Sequence, residues 1–353
     1  MKGFNLGSAS LRYKNLLVVI KQTAFEEYSQ LKLRGQSPKA LRWKRLEQRY
    51  KAHKQCVTDL LSVLQENNVS FNCVNRVDLD RQHLADIDLM VAVGGDGTVL
   101  SAAHFLDHGT IPLLGVNSDP NVSIEDRQVT KKKRDERKSH GALCACTALD
   151  LKESIPPILF GEKEEKLSKR TRIRCKVKST FSETRLVPAL NDLLIANPSP
   201  GAVSRFRLGW LSKLDSEIDV DGDVPSVPKD AGTRFAGISY DIKHGLNVWS
   251  SGMWIATSTG STAAMAAAGG QPMDLESSDL QFMIREHMIE NSNEVIDHSV
   301  DNGFINADEE MHIRWNSQRG RIYIDGSHLT HNLELGDEIM IDNKAPPLPV
   351  FMK

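Results

Sequence analysis

Aliphatic residues fall in short unbroken runs through the first third of the chain, at residues 16–20 (LLVVI), 88–93 (DLMVAV) and 111–116 (IPLLGV). Such runs suit strands buried on both faces of a parallel sheet. Residues 69–77 predict a further strand. A charged stretch over 39–64 carries Leu41, Leu46, Val57, Leu60, Leu61 and Leu64 at mostly helical spacing, and 98–106 predicts a second helix. Strands alternating with helices predict a parallel, Rossmann-like α/β domain. Beyond residue 163 the pattern changes to partial alternation, over 172–177, 189–195, 204–208 and 237–242, with Gly and Pro clustered at 197–201 and 221–228. One Ala-rich stretch, 262–268, predicts a helix, and strand signals return at 312–315, 321–325 and 338–341. The expected organisation is an α/β domain over 1–160 and a β-rich domain over 161–353, with the last residues free to pack back on the first domain.

A length of 353 residues agrees with about two domains. The longest pure aliphatic run, 16–20, is far below the ~20 residues of a membrane-spanning helix, so no membrane partner is expected. Net charge is −2, from 44 basic and 46 acidic residues, which supplies no overall attraction to nucleic acid or an anionic membrane. Five cysteines do not make a disulfide framework, residues 1–15 lack a signal-peptide pattern, and Ser212-Lys213-Leu214 is internal and no peroxisomal signal. A reducing, cytoplasmic location is the expectation. The charge run 131–138 (KKKRDERK) and a second basic stretch over 163–174 are read as solvated surfaces rather than anion sites.

The sharpest chemical feature is Gly94-Gly95-Asp96-Gly97-Thr98, where an aliphatic strand ends and a helix begins. Glycines let a ligand approach the backbone, free amides at a helix start favour phosphate, and Asp96 stands at the carboxyl end of a strand, where open α/β sheets bind ligands. The bland alternative is an Asp that merely caps the helix. No P-loop, Gly-x-Gly-x-x-Gly or Gly-x-Ser-x-Gly motif is present. A second feature, Thr259-Gly260-Ser261-Thr262 before an Ala/Gly helix, offers hydroxyls and amides to a ribose or phosphate, or is a tightly packed helix start. A third sets Asn191 beside Asp192 amid aliphatic residues, a pair costly to bury without partners. Asp325-Gly326 reads as a hairpin turn. Cys144-x-Cys146 reads as a packed strand rather than a metal site, no metal ligand set is expected, and His53, His83, His104 and His108 read as structural.

In this order the motifs resemble those of the NAD kinase family: GGDG after a strand, an Asn-acid pair, Thr-Ser-Thr-Gly-Ser-Thr-Ala (257–263), and a late Asp-Gly. The resemblance covers most of the chain, and is strongest to the NADH-preferring plant branch through Asn117-Ser118-Asp119-Pro120, Ser204 within Ala202-Val203-Ser204-Arg205-Phe206, Ser250-Ser251-Gly252 and residues 260–265. It implies ATP- and Mg²⁺-dependent phosphorylation of the adenosine ribose 2′-hydroxyl of NAD(H) by a homodimer, with Asp96 as proton acceptor and Gly97 beside the substrate. It also implies that Gly94, Gly95, Thr98 and Asn117 line the nucleotide site, that Asn191 and Asp192 hold the dinucleotide, and that Gly260, Ser261, Thr262, Ala263, Ala264 and Ala267 line its pocket together with Ser204, Ser251 and Asp325. Departures are specific: Ser251 stands where the wider family has Asp, Ala264 where it has Tyr, and Asp192 where it has Glu. Loss of a carboxylate and an aromatic face is expected to disfavour the cationic nicotinamide of NAD relative to NADH. The alternatives are a lipid kinase sharing GGDGT and a catalytically inactive nucleotide-binding sensor.

Overall fold

The architecture comes from a computed structural model, which describes residues 10–120, 140–163, 166–213, 232–288 and 300–353. The charge run 131–138 and the Gly/Pro cluster 221–228 lie outside them. Contacts divide the chain into a first unit, 1–169 with 348–353, and a second, 170–347.

In the first unit β1 (Asn15–Ile20), β2 (Ser70–Asn75), β3 (Leu89–Gly94) and β4 (Leu113–Asn117) form a parallel sheet ordered β2-β1-β3-β4. The strand Leu348–Phe351 pairs with β4, also in parallel. All of β3 and β4 is buried, which explains their unbroken aliphatic composition. Helix α1 (Ala24–Leu33) starts with a capping box in which Glu26 accepts from the Thr23 amide at 2.9 Å. Helix α2 (Trp43–Glu66) buries His53, Cys56, Val57, Leu60, Val63 and Leu64, a stripe at helical spacing. Helix α3 (Asp96–Ala103) follows β3 after the single residue Gly95, so it begins two residues earlier than the pattern predicts. Helix α4 (Leu151–Leu159) carries Pro156 and Pro157, residues that obscure a helix in sequence because proline normally breaks one. Cys144 and Cys146 are buried and unbridged; burial raises both thiols, that of Cys146 to about 12.

The second unit is antiparallel. Of its strands, β9 (Asp192–Ala196), β13 (Gly252–Ala256), β14 (Leu280–Arg285) and β17 (Arg319–Ile324) belong to one sheet. The other sheet includes β10 (Ser204–Lys213), β12 (Ile238–Ser250) and β16 (Met311–Trp315). One core draws on both, including Ile195, Ile255 and Ile322 from the first and Phe206, Val248 and Trp315 from the second. Phe206 and Trp315 stack at 6.1 Å with planes 9° apart. The Ala-rich stretch is not the helix expected over 262–268: a 3-10 turn, Gly260–Thr262, leads into a single turn of α-helix, Ala264–Ala267. Ala268 caps it, and the next residue, Gly269, takes φ +101°, which stops the helix.

The basic stretch 163–174 is likewise not a solvated face at its C-terminal end. Arg170 and Arg172 are fully buried. Each guanidinium finds an acceptor: Arg170 Nε and Nη2 donate to Thr259 Oγ1 at 2.9 and 2.8 Å, and Arg172 Nε to the Pro346 carbonyl at 2.7 Å. Arg174 pairs with the buried Asp342. A buried cation is tolerable when its donors are met, a condition that composition does not reveal.

Candidate functional site

Three adjacent parallel strands end at one edge of the first sheet. Ile20 lies opposite Val93, and Gly94 opposite Asn117, so Lys21, the GGDG turn and Asn117-Ser118-Asp119 converge there. The strand order reverses between β1 and β3, the position at which open α/β sheets form a ligand crevice. A Cβ on Gly94 would land on the Thr98 hydroxyl, so glycine is needed where the helix turns back on the strand. Gly97 is exposed and a Cβ there would meet nothing within 4 Å; the fold does not require glycine at that position, and the space beside it is open.

Asp96 does not cap α3. Gly95 holds that position, and the Asp96 carboxylate accepts instead from two backbone amides, Gly141 at 3.0 Å and Leu143 at 2.9 Å. These amides orient the half-buried carboxylate. No sequence signal could have found them, since they lie more than forty positions away. Asn117 is buried and accepts from the Asp119 amide at 3.2 Å. The Ser118 amide donates to the Gly94 carbonyl at 2.9 Å, tying the two strand ends together.

In the second unit Asn191 precedes β9 and Asp192 opens it, and Asp325, just after β17, holds them. Its carboxylate accepts from the amides of Leu190, Asn191 and Asp192 at 2.8, 2.7 and 3.0 Å. Asp325 therefore does more than turn a hairpin. It takes φ +49° and is followed by Gly326 at φ +110°. Thr257 Oγ1 donates to the Leu190 carbonyl at 2.6 Å and accepts from the Gly260 amide at 3.2 Å, so the segment after β13 locks against the same turn. Gly260 is required here because a Cβ would collide with the Asn191 carbonyl. The result leaves two groups unsettled. Asn191 Oδ1 is buried without a hydrogen-bond partner. Asp192 is pushed up to about 7, first by burial and then by the neighbouring Asp325 charge.

Other expected residues separate. Ser261 is buried and internally satisfied, donating to the Ser258 carbonyl at 2.8 Å and accepting from the Met273 amide at 3.0 Å. Thr262, Ala263 and Ala267 are exposed and Ala264 is half-buried, a small-residue face open to solvent. Ser204 is buried on the second sheet and accepts from the Asn197 amide at 2.9 Å; it is not brought to the Asn191 turn. Ser251 lies at the opposite end of β13 from Thr257, about 20 Å away at ~3.3 Å per residue. Its hydroxyl donates to the Glu286 carboxylate, so position 251 has a carboxylate beside it although the residue itself carries none.

Comparison with known proteins adds to this geometry. The model of the ATP-NAD kinase N-terminal domain matches residues 7–121. A probable NADH kinase of Oryza sativa subsp. japonica is 35% identical over 320 residues, 91% of this chain and 87% of the relative. The NADH kinase of Arabidopsis thaliana is 37% identical over 343 residues, 96% of each. The crystal structure of yeast NADH kinase complexed with NADH superposes with a TM-score of 0.63 at 14% identity, covering 97% of this chain and 84% of that one. An Archaeoglobus fulgidus NAD kinase in complex with ATP gives 0.56 at 15% identity, covering 96% and 93%. The two structures speak for the fold, which is the expected pairing of a parallel α/β region with a β-rich one.

Proposed function

The chain belongs to the NAD kinase family, and on that premise we propose that it phosphorylates the adenosine ribose 2′-hydroxyl of NADH and NAD with ATP as donor. The 2′-oxygen bonds to the terminal phosphorus of ATP, the bond from that phosphorus to the ADP oxygen breaks, and the hydroxyl proton passes to Asp96. The observation that carries this reading is the Asp96 carboxylate, fixed by two amides at the switch point of a parallel sheet. A carboxylate suits the role, because in a loose phosphoryl-transfer transition state the nucleophile is oriented first and loses its proton late.

Among the described residues no three His, Cys, Asp or Glu side chains gather into a cage. Mg²⁺ binds through one or two carboxylates and the substrate's own phosphates. Asp96 and Asp119 are the carboxylates that would hold it, and when bound it neutralises phosphate charge. Asn191, through its unpartnered Oδ1, and Asp192 hold the dinucleotide. The names of the plant relatives support NADH as the preferred substrate. A homodimer in the cytoplasm completes the proposal; among the described residues no helix is long and apolar enough to cross a membrane. The lipid-kinase and inactive-sensor alternatives are not favoured, since the relatives named as kinases align over nearly the whole chain.

The test is to incubate the purified protein with ATP, Mg²⁺ and either dinucleotide, and to measure NADPH or NADP formed. We expect product from both and a higher kcat/KM for NADH. Tight dinucleotide binding with no product would overturn the kinase assignment, and an NAD-favouring ratio would overturn the preference. Light scattering on the eluting protein tests the dimer.

A further inference from the structure

Three consecutive residues at the start of the second unit, Arg170, Thr171 and Arg172, bond to three separate loops. Arg170 Nε and Nη2 donate to Thr259 Oγ1, Thr171 Oγ1 donates to the Ser277 carbonyl at 3.2 Å, and Arg172 Nε donates to the Pro346 carbonyl. None of the three belongs to the binding motifs read in the sequence. We propose that Arg170 is a positioning residue for dinucleotide binding, which acts through Thr259 to set the segment 257–263 against the Asn191 turn. The inference rests on the kinase reading above and deepens it.

The buried charge is the first ground. Arg170 is 1% exposed, and arginine stays protonated in proteins. Among the described residues no carboxylate pairs with it, and its side-chain acceptor is the Thr259 hydroxyl alone. A buried cation without a counter-charge is costly, and an apolar side chain of similar volume would fill the same space with less penalty. What the guanidinium has and the apolar side chain lacks is a pair of N–H donors fixed in one plane. Both of them converge on Thr259.

The second ground is what surrounds Thr259 in the chain. Two residues before it, the Thr257 amide donates to the Asn191 carbonyl at 2.9 Å. Directly after it, Gly260 packs so closely on Asn191 that no Cβ fits between them. The same segment is tied to the loop that follows: Ser258 Oγ donates to the Leu275 carbonyl at 3.2 Å, and the Met273 amide donates to Ser261 Oγ at 3.0 Å. Thr171 holds that loop in turn at Ser277. Thr259 is 8% exposed, and its oxygen is committed to Arg170, so its hydroxyl belongs to the framework. The open hydroxyl of the segment is that of Thr262, which is exposed. A shift at Thr259 would move Gly260 off the Asn191 turn and carry Thr262 with it.

The test uses the full chain and four variants: Arg170→Met, Thr259→Val, the two combined, and Thr259→Ser, which keeps the hydroxyl. Kd for NADH is read by fluorescence titration, Kd for ATP by calorimetry, and Tm by thermal melting. Loss of a partner that orients a binding group costs roughly 10–100-fold in affinity. We expect Kd for NADH to rise by about tenfold in each single variant and no further in the combined one, because the two residues form one interaction. Thr259→Ser should bind NADH as the wild type does. Kd for ATP should not move, and KM for NADH should rise while kcat is nearly kept. Stability should follow a different order: Thr259→Val strands the buried guanidinium and lowers Tm, and adding Arg170→Met recovers it by removing the charge. A folded Arg170→Met with the wild-type Kd for NADH would overturn the proposal. So would equal losses for ATP and NADH, or additive losses in the combined variant. If the wild type binds NADH but forms no NADPH, the kinase reading falls and the Kd comparison still decides the role of Arg170. A wild type that binds no dinucleotide overturns both. Should Thr259→Val fail to fold, Arg170→Met and the combined variant decide the matter.

Discussion

Asp96 in the first unit and Asp192 in the second are the same side chain in opposite circumstances. Asp96 accepts from two backbone amides at a sheet edge. Asp192 is buried, and no described residue donates a hydrogen bond to its carboxylate; the amides of its turn go to Asp325 instead. Amides hold a carboxylate as a fixed acceptor. Burial beside another carboxylate raises the cost of the charge until the group titrates near pH 7. One unit thus presents an oriented carboxylate, and the other a carboxyl whose charge depends on its surroundings.

Asp96→Asn is the sharpest way to break this comparison. The variant keeps the size of the side chain but removes the proton acceptor, and its amide group faces one of the Gly141 and Leu143 donors with its own N–H. Loss of a general base costs ~10²–10⁴ in rate, so kcat should fall by that factor while the dinucleotide Kd, measured by NADH fluorescence, stays within about threefold. Wild-type turnover in the Asn variant would remove Asp96 from the chemistry.

Asp325→Ala acts on stability and binding together. Three amides, two of them in buried bonds, lose their acceptor, and each buried one costs ~1–3 kcal/mol before relaxation. Thermal melting should show a lowered Tm, and the dinucleotide Kd should rise because the Asn191 turn loosens. An unchanged Tm would mean that water replaces the carboxylate without cost. Asn191→Ala is milder, removing a group whose Oδ1 has no partner in the protein. It should leave Tm nearly unchanged and weaken dinucleotide binding by ~1–3 kcal/mol, or roughly 5–150-fold in Kd. If Kd does not move, Asn191 is only a turn residue.

Asp192→Asn sharpens the contrast through pH. The folded-state value of Asp192, about 7, lies above the ordinary 3.8, so between those values the folded chain binds a proton that the unfolded chain does not. Its contribution to stability is therefore fully present below about pH 4 and is lost as pH rises to about 7. Melting curves across pH 4–8 should show that decline in the wild type and a flatter dependence in the Asn variant. Parallel curves would contradict the raised value. The smallest effect is expected from Ser251→Asp, which sets a carboxylate against Glu286. The NAD:NADH ratio of kcat/KM should shift toward NAD by less than tenfold, that is by under ~1.4 kcal/mol; a fixed ratio would mean that residue 251 does not face the nicotinamide.

Much of this protein is local in origin. The aliphatic runs of β1, β3 and β4 are buried on both faces, and that requirement writes itself directly into composition. The GGDG turn is legible because a tight strand-to-helix connection with an open ligand face has few chemical solutions, and the NAD kinase resemblance follows from motifs each a few residues long. The helices α1 and α4 were missed, the first because it buries no residue and leaves no apolar stripe, the second behind its two prolines. What sequence alone determined was the aliphatic strands of the first sheet, the tight GGDG turn that follows one of them, and the family. Tertiary structure decided which amides hold Asp96, that Asp325 organises the Asn191 turn, and that Arg170 and Arg172 are interior. Each of these depends on groups tens to more than a hundred positions apart being brought within hydrogen-bond distance. The free energy of a buried polar group is set by those partners, and no local pattern encodes them.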